Sequence, residues 1–156
     1  MSKISNNITD NKLSAKPNTK IGIVKSEYNS KITDTLFDSC KSELEKSGVS
    51  EKNIFVMTVP GAYELPFGCQ KMIKSNKPDA VIALGAVIKG QTPHFDYIAS
   101  SAANGIMDVS LKTGTPIIFG VLTTNNLAQA KARIKGGSRG DKGVEAAQTA
   151  IKILNT

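Results

Sequence analysis

AVIALGAVIKGQTPHFDYIASSAANGI (residues 80–106) carries a strand, a turn and a helix in one run. Ala80 to Ile88 is apolar without alternation, the pattern of a strand covered on both faces rather than one that meets water on one side. Gly90 and Pro93 then break the chain, and a long helix is predicted from about Phe95 to Lys112. The only histidine of the chain, His94, falls where that helix begins.

The same unit recurs outward in both directions. IGIV (21–24) is followed by SEYNS and by Ile32, Leu36, Cys40 and Leu44 at helical spacing up to Gly48. IFVMTV (54–59) stops at Pro60-Gly61 and leads into ELPFGCQKMIKS, in which Leu65, Cys69, Met72 and Ile73 share a face. PIIFGVLTT (116–124) is a fourth apolar strand, with helices predicted over 126–135 and 142–154. Four such strands, each followed by a helix, predict a parallel sheet with helices on both faces: a three-layer αβα sandwich. One domain is expected over residues 20–156, preceded over residues 1–19 by a polar arm rich in Asn, Lys and Ser and read as flexible.

Composition narrows the function classes. The formal charge is +7, but eighteen of the twenty basic residues are lysines scattered over the chain, with no basic run interleaved with aromatics. Nucleic acid is therefore not an expected partner. No apolar stretch approaches the roughly 18 residues of a membrane span, and the first eighteen residues lack the apolar segment of a secretory signal, so a cytoplasmic protein away from membranes is expected. Cys40 and Cys69 form no CxxC pair and read as buried thiols.

In open parallel sheets ligands bind beyond the carboxyl ends of the strands. The residues there are Tyr28-Asn29, Pro60 to Glu64, Lys89 to His94 and Thr123 to Asn126. They include two aromatics, a carboxylate, a Gly-Gln-Thr-Pro turn at a helix start suited to an anion, and an imidazole that moves protons near neutral pH. Each has an ordinary structural explanation when taken singly; their placement on one rim does not. Arg133 is expected to reach that rim from the helix that follows, and the two arginines, Arg133 and Arg139, are the natural phosphate forks. No Walker-type or GxGxxG loop is present, which counts against a triphosphate or dinucleotide.

VPGAYELPFG, ALGAVIKGQTPHFDYIASSAANGI, PIIFGVLTTNNLAQAKAR and GDKGVEAA resemble the successive motifs of the 6,7-dimethyl-8-ribityllumazine synthase family, in order, from about residue 20 to 154. The resemblance implies a flavodoxin-like α/β sandwich around a four-stranded parallel sheet. It implies the penultimate step of riboflavin biosynthesis, in which 5-amino-6-(D-ribitylamino)uracil condenses with 3,4-dihydroxy-2-butanone 4-phosphate, without cofactor or metal. By similarity His94 is the general acid/base, which suits a side chain with an ordinary pKa of about 6.5.

The remaining roles also follow from the resemblance. Tyr28 stacks on the pyrimidine with Asn29 close by, and Ala62, Tyr63, Glu64, Val87 and Ile88 complete the substrate pocket, Glu64 holding ribityl hydroxyls. Gln91 and Thr92 offer donors to the phosphate and Arg133 pairs with it. Phe119 comes from a neighbouring subunit and Lys142 approaches the ring system. The partners implied are further copies of the chain, as a pentamer or a sixty-subunit shell of pentamers, together with riboflavin synthase. Two departures stand out. Glu27 occupies a position where the family commonly has Arg, and the segment between Arg133 and Lys142 is one residue longer than in many relatives. A flavodoxin-type electron carrier shares the layer order but needs a hydroxyl-rich phosphate loop after the first strand, where this chain has KSEYNSK.

Overall fold

The computed structural model describes residues 13–156. The strands are β1 (Ile21–Ser26), β2 (Ile54–Val59), β3 (Ala80–Ile88) and β4 (Ile117–Thr124). The helices are α1 (Ser30–Lys46), α2 (Leu65–Asn76), α3 (His94–Thr113), α4 (Leu127–Lys131) and α5 (Lys142–Leu154). All pairings are parallel and the strand order is β2-β1-β3-β4. Helices α1 and α5 cover one face, closing Ile23, Leu36, Leu84 and Ile151 into one apolar cluster. Helices α2 and α3 cover the other over Val24, Leu65, Val81 and Ile106. This is the three-layer sandwich expected from the apolar runs, with the flavodoxin-like architecture that the resemblance implies.

Three local expectations change. Strand β1 runs two residues beyond IGIV, because Lys25 keeps its stem in the sheet and its ammonium on Asp34 at 2.7 Å. The helix read over 126–135 contracts to α4, because the glycine-rich segment after it folds back: the Arg139 N–H donates to the Ala132 carbonyl at 2.7 Å and the Lys142 N–H to that of Arg133 at 3.0 Å. The edge strands are not covered throughout, since Val56 of β2 is 47% exposed and Phe119 of β4 is 44% exposed.

Of the arm read over residues 1–19, residues 1–12 lie outside the described residues. Residues 13–19 lie against the domain. The Ala15 N–H donates to the Ser47 carbonyl at 2.7 Å, Asn155 Nδ2 donates to the Ser14 carbonyl at 3.1 Å, and Leu13 packs on the α1/α5 cluster. Among the described residues no helix is long and apolar enough to cross a membrane.

Candidate active site

The turn after β1 follows β2 for two further residues. The Glu27 N–H donates to the Val59 carbonyl at 2.8 Å and the Tyr28 N–H to that of Pro60 at 3.0 Å. The chain then reverses at Asn29, whose backbone is left-handed (φ 62°, ψ 48°) and whose carbonyl accepts from the Ile32 and Thr33 N–H groups of α1. This places the Tyr28 ring outward at 74% exposure.

After β2, Ala62 and Leu65 are buried, which pins a single 3-10 turn (Ala62–Glu64) to the core and turns Tyr63 outward. The half-buried Glu64 reaches back, one carboxylate oxygen accepting from the Gly61 N–H at 3.1 Å. That bond sets the direction of the carboxylate and leaves its second oxygen free to accept a hydroxyl.

After β3, the last ladder bond is Lys89 N–H to the Thr124 carbonyl at 2.8 Å, and the Gly90–Pro93 turn then swings out to start α3. Thr92 Oγ1 accepts from the His94 N–H at 3.4 Å. The Thr92 hydroxyl and the positive end of a twenty-residue helix favour an anion there. His94 is exposed, and among the described residues its imidazole has no hydrogen-bond or ion-pair partner, leaving both ring nitrogens available for proton transfer.

These turns enclose a cavity of about 260 Å³. Tyr28, Asn29, Ala62, Val87, Ile88, Thr92 and His94 all line it, with Ala86, Phe95 and Ile98 supplying floor and wall. An adjoining groove of about 440 Å³ shares Tyr28, Ala62, His94 and Ile98 and adds Tyr63 and Glu64. Gln91 sits exposed on the same loop and lines neither space. Ile98 and Phe95 did not emerge from the sequence. The readable signal for Ile98 was its spacing of four from His94, which puts both on one face of α3.

The family model of 6,7-dimethyl-8-ribityllumazine synthase matches residues 18–156. The chain belongs to that family. A 6,7-dimethyl-8-ribityllumazine synthase of Phocaeicola vulgatus is 46% identical over 99% of this chain and 94% of its own. One of Campylobacter jejuni is 45% identical over 96% of both chains, and one of Protochlamydia amoebophila 48% identical over 87% of this chain and 78% of its own.

Against the site residues implied by membership of the lumazine synthase family, the single chain is divided. Phe119, Arg133 and Lys142 line a separate groove of about 600 Å³ along β4 and α5, which shares no residue with the His94 cavity. Arg133 lines that groove beside Thr123 and Thr124 at the end of β4 and does not line the His94 cavity of its own chain. Its guanidinium turns back on its own segment, one nitrogen donating to the Gln129 carbonyl at 2.8 Å, because α4 ends and the glycine-rich loop folds over it. Gln129 itself is held twice, its amide oxygen accepting from the Asn125 N–H at 2.8 Å and its own N–H donating to Asn126 Oδ1 at 2.9 Å. Lys142 pairs with Glu145 at 2.7 Å. Cys40 and Cys69 take no part. Burial pushes both thiols up to about 12, with the charge of Asp141 adding to the effect at Cys40, so neither is a nucleophile near neutral pH.

Proposed function

We propose that this enzyme, a transferase of the lumazine synthase family, condenses 5-amino-6-(D-ribitylamino)uracil with 3,4-dihydroxy-2-butanone 4-phosphate to give 6,7-dimethyl-8-ribityllumazine, the penultimate step of riboflavin biosynthesis. The observation that carries this reading is the convergence of an exposed aromatic, a pre-aimed carboxylate, a helix N-terminus and an unpaired imidazole on one cavity and the groove that adjoins it. Tyr28 stacks on the pyrimidine over the apolar wall of Val87 and Ile98, and the free oxygen of Glu64 accepts ribityl hydroxyls. Thr92, the Gln91 segment and the first turn of α3 take the phosphate.

The 5-amino group attacks the ketone carbonyl and the carbinolamine loses water to give an imine. Removal of a proton from the adjacent carbon expels phosphate and leaves an enol. After tautomerisation to the ketone, the ribityl-bearing nitrogen closes the ring on it with loss of a second water. Each step moves a proton over a short distance, and His94 at the cavity edge is the group to accept and return it.

The site is completed by a second copy of the chain, which brings Phe119, Arg133 and Lys142 to face the cavity, Arg133 pairing with the phosphate. The exposed apolar side chains of β4, α3 and α5, Phe119, Met107, Leu111 and Ile153, support such a covered face, since isolated soluble domains rarely leave so much apolar surface together. A homopentamer is the assembly proposed.

The test is to mix purified protein with both substrates and follow lumazine fluorescence above the uncatalysed background. A protein-dependent rate that falls by about two orders of magnitude or more in a folded His94→Ala variant is expected. Tight binding of the product without turnover would make the protein a carrier and sink the synthase reading.

A further inference from the structure

The Tyr28 turn is held from both sides of the sheet, and the second hold falls on a residue whose backbone is unusual. Pairing of β1 with β3 ends at Lys25 opposite Leu84, whereas pairing with β2 continues to Ser26 opposite Val59. Beyond that point the backbone keeps to β2 through Glu27 and Tyr28. The carbonyl of the buried Ala86, two residues further along β3, is met instead by Asn29 Nδ2 at 2.8 Å. A side-chain amide thus takes over from the backbone ladder. To place it there the chain adopts φ 62°, a conformation that side-chain-bearing residues rarely take and that Asn tolerates better than most.

Tyr28 is therefore fixed on its own amide by Pro60 and immediately afterwards by Asn29. Its ring is 74% exposed. A ring with so little packed against it takes its direction from the Cα–Cβ bond, and that bond is set by the turn. One of the two Nδ2 hydrogens of Asn29 is committed to Ala86, which fixes the direction of the amide.

We infer that Asn29 is a positioning residue: by bridging the end of β1 to the Ala86 carbonyl through a left-handed turn, it aims the Tyr28 ring at the planar substrate. The inference rests on the synthase reading given above and assigns Asn29 a role other than substrate ligand.

The experiment is a double-mutant cycle. Asn29→Gly keeps the left-handed turn without strain and removes the amide; Asn29→Asp keeps the shape and puts an oxygen against the Ala86 carbonyl. Each is made in the wild-type and in the Tyr28→Leu background, with the melting temperature, kcat and KM for both substrates measured. In the wild-type background both variants should raise KM for the ribitylaminouracil about five- to tenfold, the scale of one hydrogen bond. KM for the butanone phosphate should change by less than about twofold, because its contacts lie on the α3 side. In the Tyr28→Leu background neither variant should raise KM further.

Multiplicative effects in the Tyr28→Leu background would show that Asn29 touches substrate itself and overturn the inference. So would a lowered melting temperature with both KM values unchanged. Wild-type protein without turnover defeats the synthase reading alone; the same cycle is then run on the dissociation constant for 6,7-dimethyl-8-ribityllumazine, and the same additivity test decides.

Discussion

Two variants that are each inactive should restore one another when assembled together. His94 lines one cavity and Arg133 another, and the two share no residue. If the working site joins the His94 face of one copy to the Arg133 face of its neighbour, then His94→Ala and Arg133→Ala chains damage opposite halves. In a closed ring with head-to-tail contacts every chain gives one face to each neighbour. With equal amounts assembling at random, a site takes its His94 face from an Arg133→Ala chain with probability one half. It takes its Arg133 face from a His94→Ala chain with the same probability, so about one quarter of sites are intact. That fraction is independent of the number of copies in the ring. Each variant alone should lose about 10²-fold or more in kcat/KM, His94→Ala through lost proton transfer and Arg133→Ala through a lost charge-assisted pair with phosphate. Co-expressing the two with different affinity tags, purifying through both, and following lumazine fluorescence should give about 25% of wild-type activity per site. A mixed assembly no more active than the mean of the two separate variants would refute the reasoning and place the whole site within one chain.

Glu64→Gln keeps an oxygen for the Gly61 N–H but loses the charge, so KM for the ribitylaminouracil should rise about tenfold or more with little change in melting temperature; equal losses of binding and stability would contradict that separation. Gly105→Ala puts a methyl 2.7 Å from Pro66 Cγ where α3 crosses α2, and a proline ring cannot swing away. A loss of about 1–3 kcal/mol, read as several degrees in a thermal melt, is expected, and an unchanged melt would show that the helices part freely. Cys40 and Cys69 keep their protons up to about 12, against an ordinary value of 9.0 reached in the unfolded chain. Above pH 9 the unfolded state therefore holds fewer protons, and each thiol contributes a stability that is fully present below pH 9 and falls by about 1.4 kcal/mol per pH unit towards pH 12. Urea unfolding across that range should show the slope, and the Cys40→Ala/Cys69→Ala protein should show a shallower one.

Strands β2 and β3 were legible to the residue because apolar runs there meet hard stops, Pro60-Gly61 at one and Lys89-Gly90 at the other. The end of β1 was not, because Lys25 and Ser26 read as loop. In the fold Ser26 is buried, and the Lys25 ammonium lies over the Phe37 ring at 4.9 Å while pairing with Asp34. Helical periodicity past Lys131 was equally misleading, since what ends α4 is the return of the glycine-rich loop onto the carbonyls of Ala132 and Arg133, a contact that no spacing rule encodes. The Asn29 bridge was invisible for the same reason: its partner is fifty-seven residues away and is a backbone carbonyl.

The candidate site divides along the same line. Tyr28, Glu64, Thr92 and His94 each sit just after a strand, so a local rule finds them, and the order β2-β1-β3 brings those three strand ends side by side. Strand β4 lies at the edge, and Phe119 on it lines a groove with Arg133 and Lys142 that no other described residue of the chain fills. The run PIIFGVLTT nevertheless reads as a strand buried on both faces. In one chain that reading fails at Phe119 and is incomplete at Ile117 and Ile118. Apolar patterning records burial in the working assembly, whereas exposure in a single chain records only what that chain covers. The mismatch on β4 thus falls on the strand that carries Phe119, and the second copy proposed above accounts for it as a covered face.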